Sequence, residues 1–463
     1  MPAGPRIVDR VAAAVAHVFY RIDVIGTVPE TGPLLLLPNH PNALLDPALV
    51  MASAGRPVRF LAKSPLFKGP LRPLLAAGGA IPVYRRQDTI ETSRNTEAFA
   101  AVDAALAAGE AVCVFPEGIS HSTGRLAALR TGAARMALSA VSAGADLRLV
   151  AVGINLEQKT TFRSRATVAY GAPFRVDLAA VAGNTARESP ASVQSNGSLG
   201  SDAARLLTEQ IAAHMRGLII EADPRADAHL VDRVNRLYRS ERVAEGLGPA
   251  PATDTAEADL SRRRAIADAV HTLRRERPEW YESAIVQLRR YDDRLSRFGL
   301  DDDALDWEVS DAAARRFIAR EVPLAVLLLP LAATTILVFA VPYSLTAIAA
   351  RVTNDMDVTA TAKVVAGAVI YTVWTALLAS LAGWLGGSLA AIATIVLLPA
   401  LAVSGLFAIE REGASWRTAR IWLYLRGARL TTRAALRRRR AELAGVLEAV
   451  NDWMTSRGAD SGR

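Results

Sequence analysis

The chain holds one cysteine, Cys113, and 6 histidines among 463 residues. A lone thiol builds neither an internal disulfide framework nor a cysteine-rich zinc module, so both are excluded as the source of the fold. Aromatic residues are scarce at 6%, and neither sign of charge dominates: 54 Lys and Arg stand against 46 Asp and Glu, for a net +8. Hydrophobic residues make up 51% and charged residues 22%. A disordered chain is poorer in apolar residues and more one-sided in charge. At about 100–200 residues per domain, the length fits two to four domains. Residues 1–25 contain Arg6, Asp9, Arg10, Arg21 and Asp23 without an uninterrupted apolar core, so no secretory leader is expected there. The small positive excess suits nucleic acid or an anionic membrane surface, and the placement of the charges must decide between them.

Ile7, Val11, Ala14, Val15 and Val18 recur at helical spacing, and residues 1–20 are read as an amphipathic N-terminal segment, helical over 6–20. Two readings stay open for it: a helix lying on a membrane, or one packed on its own domain. From residue 22 to about 175, short apolar runs alternate with Ala-rich helical stretches. Strands are expected at 22–26, 34–37, 58–61, 80–84, 111–115, 147–154 and 166–170, and helices at 93–108 and 131–143. This is an α/β pattern, a mixed and mostly parallel sheet covered by helices. A helix over 201–222 closes this first domain, 21–225. The turn-rich stretch 183–201 inside it reads as a flexible insert. Residues 226–320 form a charged helical region with a linker at 247–259.

The class changes at 321–409. Val322–Val341, Val364–Trp384 and Ser388–Ala408 are uncharged and about as long as a bilayer core is thick, so this is read as a helical membrane region. Two full spans are expected, with the remaining apolar segment packed, re-entrant or interfacial. Residues 410–463 follow as a basic amphipathic tail. Its stretch Arg411–Arg440 carries ten arginines against one acidic residue, Glu412, with Trp416, Trp422 and Tyr424 between them. Directly after a membrane span, that pattern points to anionic headgroups rather than to nucleic acid.

Three constellations in the first domain carry chemistry, each after an apolar run. Asn39-His40 with Asp46 offers an imidazole and a carboxylate, the pair needed for general-base work. Arg85 and Arg86 follow the run ending at Tyr84, and guanidinium groups bind phosphate. Phe115-Pro116-Glu117-Gly118 leads into Ser120, His121 and Ser122, where the glycine allows close backbone approach. Ser120 and His121 raise a serine nucleophile with a base, which sequence neighbours on a loop rarely assemble. Cys113, His17, His214, His229 and His271 read as structural or solvated, and Lys63 and Lys68 as surface residues.

Taken together and in this order, the three motifs resemble those of the glycerophospholipid acyltransferase family. The resemblance covers about residues 20–180, within the domain 21–225. It implies an O-acyltransferase, with His40 taking a proton from the acceptor hydroxyl and Asp46 orienting the imidazole. Asn39, Arg85, Glu117, Gly118 and Arg130 would bind substrate, and backbone N–H groups near Gly118 could face the oxyanion. The implied acceptor is glycerol 3-phosphate or 1-acylglycerol 3-phosphate (lysophosphatidate), and the donor an acyl-coenzyme A or acyl carrier protein thioester. No metal and no cofactor are called for. The expected setting is the bacterial plasma membrane, with the catalytic domain cytoplasmic, the bilayer as partner and no nucleic acid. Another lipid acceptor, or a non-catalytic scaffold of the same fold, is the alternative. Two departures stand out. His40 and Asp46 are separated by five residues where the family has four. The strand at 149–154 also lacks the proline usual in the family's fourth motif.

Overall fold

The computed structural model describes residues 6–68, 72–84, 95–176, 196–222, 227–244, 254–307, 310–350, 356–427 and 430–460. The chain forms two compact units, Met1–Ala228 with Asp355–Thr361, and His229–Asn354 with Ala362–Arg463.

In the first unit, helix α1 (Ile7–Phe19) runs straight into strand β1 (Tyr20–Ile25). Then follow β2 (Leu34–Pro38), α2 (Leu45–Ser53), β3 (Val58–Lys63), α3 (Arg72–Ala77) and β4 (Ile81–Val83). The remainder is α4 (Asn95–Ala107), β5 (Ala111–Cys113), α5 (Gly132–Ser142), β6 (Arg148–Leu156), β7 (Ser164–Tyr170) and α6 (Asn196–Arg216). The strands form one seven-stranded sheet in the order β1-β7-β6-β2-β5-β3-β4. Every pairing is parallel except that of β6 with β7. All seven expected strands are present, with their ends moved by a few residues.

Strand β2 lies between β5 and β6, and its run of leucines is buried throughout, as suits a strand covered on both faces. Leu35 and Leu37 enter the core with Val102 and Leu106 of α4, Met136 and Ala137 of α5, and Leu207, Ile211 and Met215 of α6. By strand alternation, Leu34 and Leu36 point to the opposite face. Strand β6 contains Gly153. A Cβ there would lie 2.2 Å from the Leu218 carbonyl oxygen, so only glycine lets the chain after α6 cross so closely. Asn155 completes that crossing, donating to Leu218 O (2.8 Å) and accepting from the Ile220 amide (2.7 Å).

The second unit contains α7 (Ala228–Ala244), α8 (Ala256–Glu276), α9 (Pro278–Phe298), α10 (Asp311–Ala350), α11 (Met356–Gly427) and α12 (Leu430–Asp460). The linker expected at 247–259 ends earlier, because Thr255 caps α8 by accepting from the Ala258 amide. The stretch 183–201 is helical from Asn196 onward, and its residues up to 195 lie outside those described.

Helices α10 and α11 include stretches long and apolar enough to cross a membrane, Ala314–Ala349 and Ala362–Gly427, whose side chains mostly lie outside any protein core. Helix α11 breaks at Gly387, where φ is 75°. A Cβ on Gly383 would lie 3.2 Å from that of Ala391, and one on Gly386 3.0 Å from that of Ala390, so the chain folds back there. Close packing joins the two apolar helices. Gly405 lies directly against Thr335, Trp374 donates to Val338 O (3.1 Å), and Arg411 and Ser415 both reach the Glu321 carboxylate.

The segments flanking the apolar region share one core. Leu237, Leu288, Tyr291, Leu295 and Leu305 from before it pack with Ile421, Leu425, Leu436 and Leu443 from after it. Several arginines of the basic tail are engaged within this unit, while Arg417, Arg420 and Arg438 are exposed. Arg440 is buried, bonded to Glu241, to Asp306 (2.6 Å), to the Ser240 hydroxyl (3.1 Å) and to Asp302 O (2.8 Å). Arg433 and Arg437 donate to Leu305 O, Arg439 to Glu442 and Gln287, and Arg426 pairs with Asp311.

Replacing Arg440 by alanine would leave Glu241 facing a void without its cation. The loss of one partner from a buried ion pair costs about 3–5 kcal/mol. Arg440→Ala is expected to lower the thermal midpoint of the second unit markedly, and a change of less than a degree would show that the network contributes nothing.

Candidate active site

Because β2, β5 and β6 run parallel, the loops that follow them emerge at one edge of the sheet. Ligands gather at strand ends of this kind. Here the loop 39–44, the loop from Val114 onward and the loop 157–163 come together.

The first loop is pinned at its start. Asn39 is buried, and its amide bonds both ways to Ile154 of β6, donating to its carbonyl (3.1 Å) and accepting from its amide (2.7 Å). Asn39, expected to bind substrate, instead continues the sheet with its side chain and fixes where His40 begins. His40 Nδ1 lies 2.8 Å from Asp46 Oδ2, and the ring stacks on Phe115 at 4.0 Å between centroids. Asp46 sits in the first turn of α2, where the helix dipole favours a carboxylate, and its Oδ2 also accepts from the Asn42 amide at 2.6 Å. The turn between His40 and Asp46 passes through Ala43, whose φ of 39° is left-handed. The Ala43 amide is held there by Ser120 Oγ at 2.9 Å. With Nδ1–H given to Asp46, the lone pair rests on Nε2, the tautomer a general base requires.

The second loop braces the first. Glu117 is buried and aims both oxygens at its surroundings. Oε1 accepts from the His40 amide (2.8 Å), while Oε2 accepts from the Ala127 amide (3.0 Å) and pairs with His121 Nε2. The His121 amide returns to His40 O at 3.2 Å. Both backbone groups of His40 are thus held by residues 117–121. Glu117 acts as this brace rather than as the substrate contact expected of it. The His121 ring is oriented from its far side by Thr123, whose hydroxyl lies 2.9 Å from Nδ1. Ser120 faces Ala43 and not His121, so the two form no nucleophilic dyad.

Gly118 has φ of 72°, and a Cβ there would meet Arg130 Cδ and Nε at 2.8 Å. Glycine is needed so that the exposed Arg130 side chain can lie across the loop. The Gly118 amide donates to Phe115 O (3.0 Å), so this N–H is engaged in a turn and does not face an oxyanion. Arg85 lies outside the described residues.

Sequence reasoning missed three supports. Tyr20 OH donates to Lys159 O (2.5 Å) and accepts from Asn42 Nδ2 (2.6 Å), which ties β1 to the turn holding Asp46. Lys159 donates from Nζ to Ser122 Oγ, and its charge reaches Asp46, where it favours the carboxylate. The available signal was position: Lys159 follows a strand adjacent to β2 and parallel to it. Burial raises the pKa of Asp46, with the His40 bond, the Asn42 amide and Lys159 partly offsetting it. Asp46 Oδ1 has no partner among the described residues. Burial likewise pushes the Cys113 thiol well above its ordinary range, leaving it an unreactive core residue.

Residues 21–155, which hold all of this apart from α1, Tyr20 and the loop 157–163, match the family model described as Acyltransferase. This match supports the resemblance of the region to the glycerophospholipid acyltransferases. Glycerol-3-phosphate O-acyltransferase 2 of Saccharomyces cerevisiae is 40% identical over 85 residues, 18% of this chain and 11% of that protein. Glycerol-3-phosphate O-acyltransferase 1 of the same yeast is 28% identical over 138 residues, 29% of this chain and 17% of that protein. The chain therefore spans less than a fifth of the length of these curated relatives. The crystal structure of the 1-acyl-sn-glycerophosphate (LPA) acyltransferase PlsC from Thermotoga maritima matches with a TM-score of 0.30 and 16% identity, over 44% of this chain and 78% of that one.

A carboxyl whose pKa is raised by folding binds its proton more tightly in the folded chain. It disfavours folding progressively as pH rises from the ordinary carboxyl range through the raised value. Asp46→Asn is expected to remove that decline and to melt higher than the wild type at neutral pH. Melting curves of both proteins between about pH 4 and pH 8 test the sign; a variant that melts lower throughout would contradict it.

Proposed function

We propose that this domain transfers a fatty acyl group from a thioester to the hydroxyl of glycerol 3-phosphate or 1-acylglycerol 3-phosphate. The observation that carries the reading is the His40–Asp46 pair, with Nδ1 bonded to the carboxylate and Nε2 left as the basic nitrogen. The yeast relatives, glycerol-3-phosphate O-acyltransferases by name, support the acceptor class. The acceptor hydroxyl gives its proton to Nε2 as its oxygen attacks the thioester carbonyl. The C–S bond breaks, and the imidazolium returns the proton to the departing thiolate, leaving an ester and a free thiol. Asp46 holds the tautomer and stabilises the imidazolium. Arg130 and Arg85 are proposed to hold the acceptor phosphate. The donor is an acyl-coenzyme A or acyl carrier protein thioester.

General-base catalysis contributes about 10²–10⁴-fold. His40→Ala is expected to lose acyl transfer by that factor in membranes supplied with labelled oleoyl-coenzyme A. Asp46→Asn should lose activity as well. Offering glycerol 3-phosphate and lysophosphatidate separately identifies the acceptor, and undiminished transfer by His40→Ala would reject the mechanism.

We further propose an integral membrane protein of the bacterial plasma membrane with both flanks of the apolar region in the cytoplasm. The support is the shared core of Leu288, Leu305, Leu425 and Leu443. Residues in one core lie on one side of a membrane, so the crossings between them are even in number. Helix α10 then crosses once, and of the two legs of α11 on either side of the break at Gly387 one crosses and the other does not. Cysteines introduced at Ser283 and Ser456 should both react with an impermeant maleimide only after the membrane is opened from the cytoplasmic side; labelling from opposite sides would overturn this topology.

A further inference from the structure

The loop after β5 carries a second imidazole–carboxylate pair, His121 with Glu117, wired the opposite way round from the first. In His40–Asp46 the carboxylate takes Nδ1 and leaves Nε2 as the basic nitrogen. In His121–Glu117 the carboxylate takes Nε2. Nδ1 of His121 lies 2.9 Å from the Thr123 hydroxyl and 3.4 Å from the Thr123 amide. An amide N–H only donates, so Nδ1 turns its lone pair to Thr123 and the ring hydrogen sits on Nε2, facing Glu117. The hydroxyl has a second acceptor in Arg125 O at 3.2 Å, but its bond to Nδ1 is the shorter. Both ring nitrogens are then engaged, and neither has a lone pair to offer a substrate. His121 is therefore not a second base.

Its bonds lead to His40 instead. They close a ring: the His40 amide donates to Glu117 Oε1 (2.8 Å), Glu117 Oε2 takes the His121 ring, and the His121 amide donates to His40 O (3.2 Å). The last torsion of a glutamate is soft, so a carboxylate keeps its plane only through its partners. Here the aim of Oε1 at the His40 amide is set by what holds Oε2, namely the His121 ring and the Ala127 amide (3.0 Å). In the other tautomer His121 Nε2 would turn a lone pair on the carboxylate. Two acceptors would then face each other, and the carboxylate would have to turn away. We propose that His121, its tautomer selected by Thr123, is a positioning residue for acyl transfer. It fixes the Glu117 carboxylate, and through it the backbone from which the His40 imidazole reaches the acceptor hydroxyl. The inference rests on His40 being the base, as proposed above. His121 is partly exposed and Thr123 exposed, so both can be replaced without opening a cavity in the core.

The test compares His121→Ala, His121→Gln, Thr123→Val and Thr123→Ser with the wild type, as full chains in nanodiscs. Glutamine places an amide N–H where Nε2 stood, and serine keeps the hydroxyl. His121→Ala is expected to lower kcat roughly 10²-fold, the loss that a misplacement of about 1 Å can cause, with KM for oleoyl-coenzyme A and for the acceptor little changed. His121→Gln should recover most of that loss. Thr123→Val should lower kcat by a smaller factor, and Thr123→Ser should restore it. A second readout needs no turnover. In protein carrying nitrogen-15 histidine, the downfield Nδ1–H resonance of His40 is assigned by its loss in His40→Ala. It should shift or broaden in His121→Ala and return in His121→Gln. Unchanged kcat in His121→Ala, against an active wild type, would overturn the proposal whatever the resonance does. So would a loss that glutamine fails to recover and that a lowered melting temperature accompanies, since that is a merely structural role. A shifted resonance in a protein whose wild type acylates neither acceptor would uphold the positioning of His40 and reject the acyl-transfer reading instead.

Discussion

A buried carboxylate needs partners, and at Glu117 the available partners belong to two different loops. One oxygen takes the amide of His40; the other takes the amide of Ala127 and the ring of His121. Removing Glu117 from water is tolerable only if the loops after β2 and β5 are drawn together, and drawing them together sets the backbone of His40. The rest of the site hangs from that placement. Asp46 can reach Nδ1 because the turn between them is bounded at one end by Asn39 on the sheet and at the other by α2. Ala43 tolerates its left-handed backbone because Ser120, on the braced loop, takes its amide.

The His40–Asp46 pair is the complement of that brace. Asp46 is fully buried with one oxygen lacking a partner, so it lies at a local cost to the fold. A carboxylate in such a place orients an imidazole strongly, because nothing of comparable charge competes for the Nδ1–H. Tyr20, Asn42 and the Lys159 backbone surround the turn with neutral dipoles, which keep it in place without neutralising the charge. The site is thus braced on its buried side, where Glu117 and Asp46 act, while Arg130 is exposed.

Both halves of the chain contain a motif whose meaning differs between the linear and folded views. In the first, the α1 stripe at positions 7, 11, 14 and 18 was legible from periodicity, but the choice between burial and outward display needed the inner face to be seen filled by Val8, Ala16 and Phe19. In the second, ten arginines in one stretch read as a headgroup-binding tail. Folded, Arg440, Arg433 and Arg437 turn to Glu241, Asp306 and the carbonyls of Leu305 and Trp307. Charge in a sequence is counted before its counter-charges can be located, and here they lie more than a hundred residues earlier.

The seven strands, the helices between them, the apolar helices and the three strand-end motifs were all determined by local pattern. Periodicity and apolar runs act over a few residues, and so does the propensity of a glycine or proline to end an element. Tertiary structure decided what each motif residue does. Asn39 pairs with Ile154, Glu117 with His121 and Lys159 with Ser122 across separations from 4 to 115 residues. The amide of Gly118, which the motif suggested for an oxyanion, is taken by its own turn. The step from His40 to Asp46 is one residue longer than in the family the chain resembles. It closes at 2.8 Å through a turn in which Ala43 leaves the right-handed region, its amide bonded to Ser120 of the neighbouring loop. Local sequence sets which conformations are cheap; only the packed loops determine which of them a polar group needs to satisfy its bonds.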